Sequence, residues 1–170
     1  MDIKLKLREY LDKNLELPVF EDRCFGSTFK ARACKAKAYD MSYESASIDD
    51  ILDNIDENNK FTNVLFRFID SKGCKDSDIY NKAQVDRRLF SKIRSDVNYH
   101  PKKETVIQLG LALELSTSEL EELLGGAGYA LPRNNKFDLI IRFCFEEHIY
   151  DVFKVNELLE DYDCKLLVKE

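Results

Sequence analysis

The chain has 170 residues, 44% of them apolar and 34% charged, with six Gly and three Pro. That is enough for one sizeable core with an extension, and it sets aside a disordered or collagen-like chain in favour of a globular, mostly helical one. A net charge of −6 excludes holding nucleic acid by overall basicity, so any such contact is confined to a local patch.

Residues 2–13 read as a helix. Ile3, Leu7, Tyr10 and Leu11 share a side at helical spacing, and Leu, Lys, Arg and Glu favour a helix over the strand that Ile3, Leu5 and Leu7 would also allow. Pro18 breaks it. From Val19 to Ser45 no period holds. Arg23 to Lys37 carries five basic residues and no acid, with Phe25 and Phe29 interleaved. It reads as a solvated segment packing its Phe and Ala residues on the main domain, or alternatively as a nucleic-acid arm. Ser47-Ile-Asp-Asp opens the next helix in the manner of a capping box, with Ile48, Ile51, Leu52 and Ile55 as its stripe. Phe61, Val64, Leu65, Phe68 and Ile69 form another, with Gly73 as the stop.

Asp78 to Arg94 reads as a short helix, a turn near Gln84 to Asp86, and a second helix for which Asp86 is the N-cap. Leu89, Phe90 and Ile93 fall on one side of it. Arg87, Arg88, Ser91, Lys92 and Arg94 are left wholly or partly outside. An apolar side docked on its own domain with a cationic side free is how the reading helix of a helix-turn-helix is built. Pro101 suits the start of the next helix, in which Val106, Ile107, Leu109, Leu111, Ala112, Leu113 and Leu115 are largely buried. Ser116-Thr-Ser-Glu begins another, with Leu120, Leu123 and Leu124 inward and Gly125-Gly126 closing it. Two further amphipathic helices follow, from about Lys136 to His148 and from about Phe153 to Tyr162.

Through Ala83-Gln-Val-Asp-Arg-Arg-Leu-Phe-Ser-Lys-Ile-Arg94 and Pro101-Lys-Lys-Glu-Thr-Val-Ile-Gln-Leu-Gly-Leu-Ala-Leu-Glu-Leu-Ser-Thr-Ser-Glu-Leu-Glu-Glu-Leu-Leu124, the chain resembles the Cro/C1 repressor type of helix-turn-helix domain over about residues 60–125. The resemblance implies five helices, the third lying in the DNA major groove. A longer one, from about Ser47 to Leu167, is carried by Asp86-Arg-Arg-Leu-Phe-Ser-Lys-Ile-Arg-Ser95, Gly126-Ala-Gly-Tyr-Ala-Leu131 and Lys136-Phe-Asp-Leu-Ile-Ile141. There the chain is similar to a bacterial helical module of uncertain role, found alone or behind other domains such as macro domains. That resemblance implies the fold and a helical C-terminal extension. The first 46 residues cannot hold a macro domain, so ADP-ribose binding is not implied.

The chain departs from the family pattern at three places. Asp76-Ser-Asp78 stands where a polar, often Gln-led helix start meets phosphate, and carboxylates there repel it. Gln84 replaces the Gly of the turn, which costs little as long as it keeps a negative φ. The loop from Arg94 to Pro101 is about one residue longer than in the family and includes Asp96. From Lys75 to Glu104 there are eight basic and five acidic residues, a local excess of +3. Two uses of these charges stay open: contact with phosphates and guanine edges, or self-neutralisation, with Arg87 and Arg88 paired to Asp76, Asp78 or Asp96 and Lys92 to Asp96.

The five cysteines are scattered and form no Cys-x-x-Cys, and His100 and His148 lie far from most of them. Free thiols in a reducing compartment are therefore expected, with no metal site. Met1 to Arg8 has no signal-peptide pattern and the longest apolar run, Leu139 to Phe145, is too short to span a bilayer. A cytoplasmic protein without a membrane partner is expected. No phosphate-loop signature occurs, and His148 after Glu146-Glu147 is ordinary near a helix end, so neither an enzyme nor a cofactor is expected.

The expected architecture is all-α, a five-helix Cro/C1-repressor-like helix-turn-helix bundle with an N-terminal extension and two additional C-terminal helices. Its parts are residues 1–46, the helix-turn-helix domain with its leading helix at 47–131, and the C-terminal extension at 132–170. The expected function is a DNA-binding transcriptional regulator whose contacts to duplex DNA are Arg87, Arg88, Ser91, Lys92, Arg94, Lys102 and Lys103, acting as a homodimer. The alternative is a protein-interaction or adaptor module on the same scaffold, with another protein as its partner.

Overall fold

The computed structural model describes residues 2–15, 60–96 and 99–168. Among them stand eight helices and no strand: α1 (Ile3–Leu15), α2 (Phe61–Lys72), α3 (Asp76–Lys82), α4 (Arg87–Ser95), α5 (Lys103–Ala112), α6 (Thr117–Gly126), α7 (Lys136–Glu146) and α8 (Val152–Glu160). The protein is all-α across these residues. The expected helix opening at Ser47 and the basic stretch from Arg23 to Lys37 lie outside the described residues.

Several helix starts are built from short polar side chains, whereas Lys60, Lys75 and Lys102 precede α2, α3 and α5 without a side-chain cap. Asp86 accepts from the Arg88 N–H at 2.6 Å, Asn135 from the Phe137 N–H at 3.0 Å, and Asp151 from the Phe153 N–H at 2.9 Å. Ser116 and Glu119 complete a capping box at α6, where the Ser116 N–H donates to the Glu119 carboxylate at 2.7 Å.

The helix ends share a different device. Gly73, Gln84, Glu114, Gly128, His148 and Asp163 all take left-handed φ between 51 and 71°. After each, the next N–H reaches back five residues: Cys74 to Ile69, Val85 to Tyr80, Leu115 to Gly110, Tyr129 to Leu124, Ile149 to Cys144 and Cys164 to Leu159, at 2.8–3.3 Å. This is the Schellman stop, and it turns an apolar residue, Val85, Leu115 or Ile149, back into the core. Gln84 departs from expectation, because its φ is 54°. The stop after α6 also differs: the helix runs through both Gly125 and Gly126, and Gly128 takes the left-handed position.

One apolar core runs through the described residues. The centre is α5, buried without interruption from Thr105 to Ala112, as expected of a helix enclosed on all sides. Gly110 permits the crossing of α5 with α6 and α7, since a Cβ there would stand 2.8 Å from Leu120 Cδ1 and 3.4 Å from Phe145 Cζ. α2 packs on α6, α3 on α5, α7 on both α1 and α6, and α8 on α7. Leu7 and Leu11 of α1 are buried, and Tyr10 meets Phe143 with ring centroids 5.3 Å apart.

Candidate functional site

The charged face expected to act sits on α4 and the loop behind it. α3 and α4 are joined by residues 83–86, of which Ala83 and Val85 are buried. α4 buries Phe90 and Ile93 and half-buries Leu89, so its apolar side is docked. Phe90 is the fastening point. Its ring meets Phe66 of α2 edge-on at 6.3 Å and Tyr80 of α3 at 5.9 Å, contacts that favour one orientation of the helix. Arg87, Arg88, Ser91, Lys92 and Arg94 are all exposed on its other side.

Their surroundings differ. Arg94 pairs with Asp76 at 2.8 Å while its guanidinium lies over the Phe66 ring at 4.7 Å. Lys92 lies over the Tyr99 ring at 5.0 Å, so it turns to an aromatic of the following loop. Arg87, Arg88 and Lys102 make no ion pair among the described residues. Of the two uses left open, self-neutralisation of Arg87 and Arg88 through Asp76 is not formed, because Arg94, seven residues beyond Arg87, reaches that carboxylate instead.

Lys103 stands elsewhere. At the first turn of α5 it donates to the buried Asp138 carboxylate of α7 at 2.6 Å, and it is removed from the exposed face. Residues of α4 and Lys102 are thus brought together, and Lys103 is not. Across the loop His100 stacks on Tyr129 at 5.4 Å, and the Tyr129 hydroxyl donates to the Pro101 carbonyl at 3.1 Å. Tyr99 and Tyr129 are both partly buried against the core.

Residue order offers Asp76 to Arg87 or Arg88 and does not disclose Arg94 as its partner, nor Asp138 as a buried acid. Asp138 sits at the third position of its helix, where an acid is ordinary for the helix dipole, and its burial depends on α5 lying against α7. Of the cysteines, Cys144 is buried and desolvation pushes its thiol up to about 12, which keeps it protonated and unreactive.

The face that results presents exposed arginine side chains, Arg87 and Arg88, on a helix whose other side is docked. No protein-family model, curated protein or solved structure matches the chain.

Proposed function

We propose that the protein is a DNA-binding transcriptional regulator of the Cro/C1 helix-turn-helix kind, with α3 and α4 as the motif and α4 as its reading helix. The observation that carries this reading is the division of α4: a docked apolar side held by Phe90, and an exposed side on which Arg87 and Arg88 form no ion pair among the described residues. Both lie in the first turn of α4, the part of a reading helix that meets base edges. An arginine there can donate two hydrogen bonds to the O6 and N7 of guanine. Lys102, at the start of α5, supplies a phosphate contact, with Ser91 and Lys92 beside the arginines. Arg94 has another part. By neutralising Asp76 it removes one of the carboxylates that would repel phosphate at the start of α3. The net charge of −6 favours a second reading, a protein-interaction module on the same scaffold.

Fluorescence polarisation with mixed duplexes at about 50 and 200 mM salt separates the two. At a slope of about 0.9 per neutralised phosphate, two contacts, from Lys92 and Lys102, predict a drop of roughly 12-fold in affinity over that range. Arg87→Ala with Arg88→Ala should remove most of the binding at unchanged helicity. Asp76→Asn frees Arg94 and deletes a carboxylate, so it should tighten binding and steepen the salt slope. Absence of binding at the lower salt would eliminate the regulator reading and leave the interaction module.

A further inference from the structure

Helix α1 is packed on α7 and reaches α8 with its first turn, yet residues 16–59 separate it from α2 in the chain. Of its 13 residues only Leu7 and Leu11 are buried. The rest of the attachment lies at the edges. Tyr10 is half-buried against Phe143, Lys4 bridges Glu157 at 3.1 Å and Asp161 at 2.8 Å, and Lys6 meets Glu147 at 2.6 Å. These lysine pairs sit at the surface, so they orient the helix and add little hold. The start of α1 also leaves its seat part-filled. A cleft of about 250 Å³ opens between Ile3 and Lys4 on one side and Ile149, Lys154, Glu157 and Leu158 on the other. Ile3 is 38% exposed beside it. A helix of this length is marginal in water by itself, and an edge element with few buried contacts opens before the core does.

We propose that α1 is a reversibly docked strap, and that its seat on α7 and α8 is a receptor for an amphipathic helix of a partner protein, which α1 occupies in cis. The chemistry of that partner is read from the contacts α1 makes. It carries two leucine-like side chains four residues apart, matching Leu7 and Leu11, with an aromatic at the position of Tyr10 to meet Phe143. Lysines stand at the positions of Lys4 and Lys6, because Glu147, Glu157 and Asp161 face them. At the position of Ile3 it carries a larger apolar side chain, which fills the cleft that α1 leaves open. Such a helix lays its apolar side into the seat as other amphipathic helices enter apolar grooves. Because α1 belongs to the same chain, a competitor meets it at an effective concentration on the order of millimolar. Only a helix that buries more than α1 does displaces it, which makes the seat selective.

Hydrogen exchange of the full chain, together with binding of a labelled peptide that has the sequence of residues 1–15, tests the strap and its seat. In the parent, the amides of α1 should be protected at least about 10-fold less than those of α5, the signature of local opening. Leu7→Asp should release α1 while the remaining helices persist. The peptide should then bind this variant in the micromolar range, and the parent at least about 10-fold more weakly. A peptide with Ile3→Phe should bind the variant several-fold tighter than the unaltered peptide. Lys4→Glu with Lys6→Glu, which leaves the core untouched, should speed exchange in α1 alone. Equal protection of α1 and α5 overturns the proposal, since α1 then opens only with the whole molecule. A Leu7→Asp chain that loses helicity beyond α1 overturns it for the same reason. So does a folded Leu7→Asp chain that ignores the peptide, or equal binding by variant and parent, which places the peptide elsewhere.

Discussion

Gln84 is held at φ 54°, where a side chain other than glycine is strained. Its amide donates to the Asn81 carbonyl at 2.9 Å on the surface, a small return. An L residue in the left-handed region costs about 1–2 kcal/mol, whereas the extra unfolded freedom of glycine costs about 0.5–1 kcal/mol. Gln84→Gly is therefore expected to stabilise the fold by roughly 0.5–1 kcal/mol, seen as a higher urea midpoint at unchanged slope. The sequence marked the position as the turn but not its φ, because that angle is set by where Val85 must enter the core. The arginines show the same limit. Arg87, Arg88 and Arg94 are equivalent in an amphipathic pattern, and only packing separates two guanidiniums with no ion pair among the described residues from one held between Phe66 and Asp76.

At the scale of single helices, the starts were the most legible feature. A cap acts within three residues, so Asp86 and Ser116 could be identified from local order alone. Ser116→Ala is expected to cost about 1 kcal/mol. Glu119 gives the same box a pH dependence. The Ser116 N–H and hydroxyl donate to its carboxylate and hold it below the usual carboxyl range. A carboxyl lowered by folding stabilises above its unfolded pKa, and the contribution disappears as pH falls through the folded value. Glu119→Gln should thus melt below the parent near pH 7, with the gap closing as acidification passes the ordinary carboxyl range, about pH 4. Thermal melts across that interval check the sign. Helix ends were less legible. Gly125-Gly126 looks like a stop, yet the left-handed position falls at Gly128, since the end is decided by the bond from the Tyr129 N–H to the Leu124 carbonyl. The apolar stripes were plain in α2, α5 and α7, where spacing alone identifies the buried side.

Across the whole molecule, the contact that periodicity could not disclose is Lys103 with Asp138, joining residues 35 apart. Asp138 is buried, and losing its partner leaves a carboxylate without a counter-charge. Because Lys103 is itself 22% exposed, water softens the loss. Lys103→Ala should destabilise by about 2 kcal/mol, below the roughly 3–5 kcal/mol of a fully enclosed pair. Lys102→Ala should stay within about 0.5 kcal/mol, and chemical denaturation of the two variants separates them. The same molecule ends four helices with side chains where glycine would be more comfortable: Gln84, Glu114, His148 and Asp163. Two of these, Gln84 and Glu114, line one groove of about 380 Å³ together with Phe153. Corners are normally silent connectors; here they display chemical groups at points fixed by the core on either side. Replacing all four with glycine would yield a sturdier but blanker protein, a trade of surface chemistry against robustness.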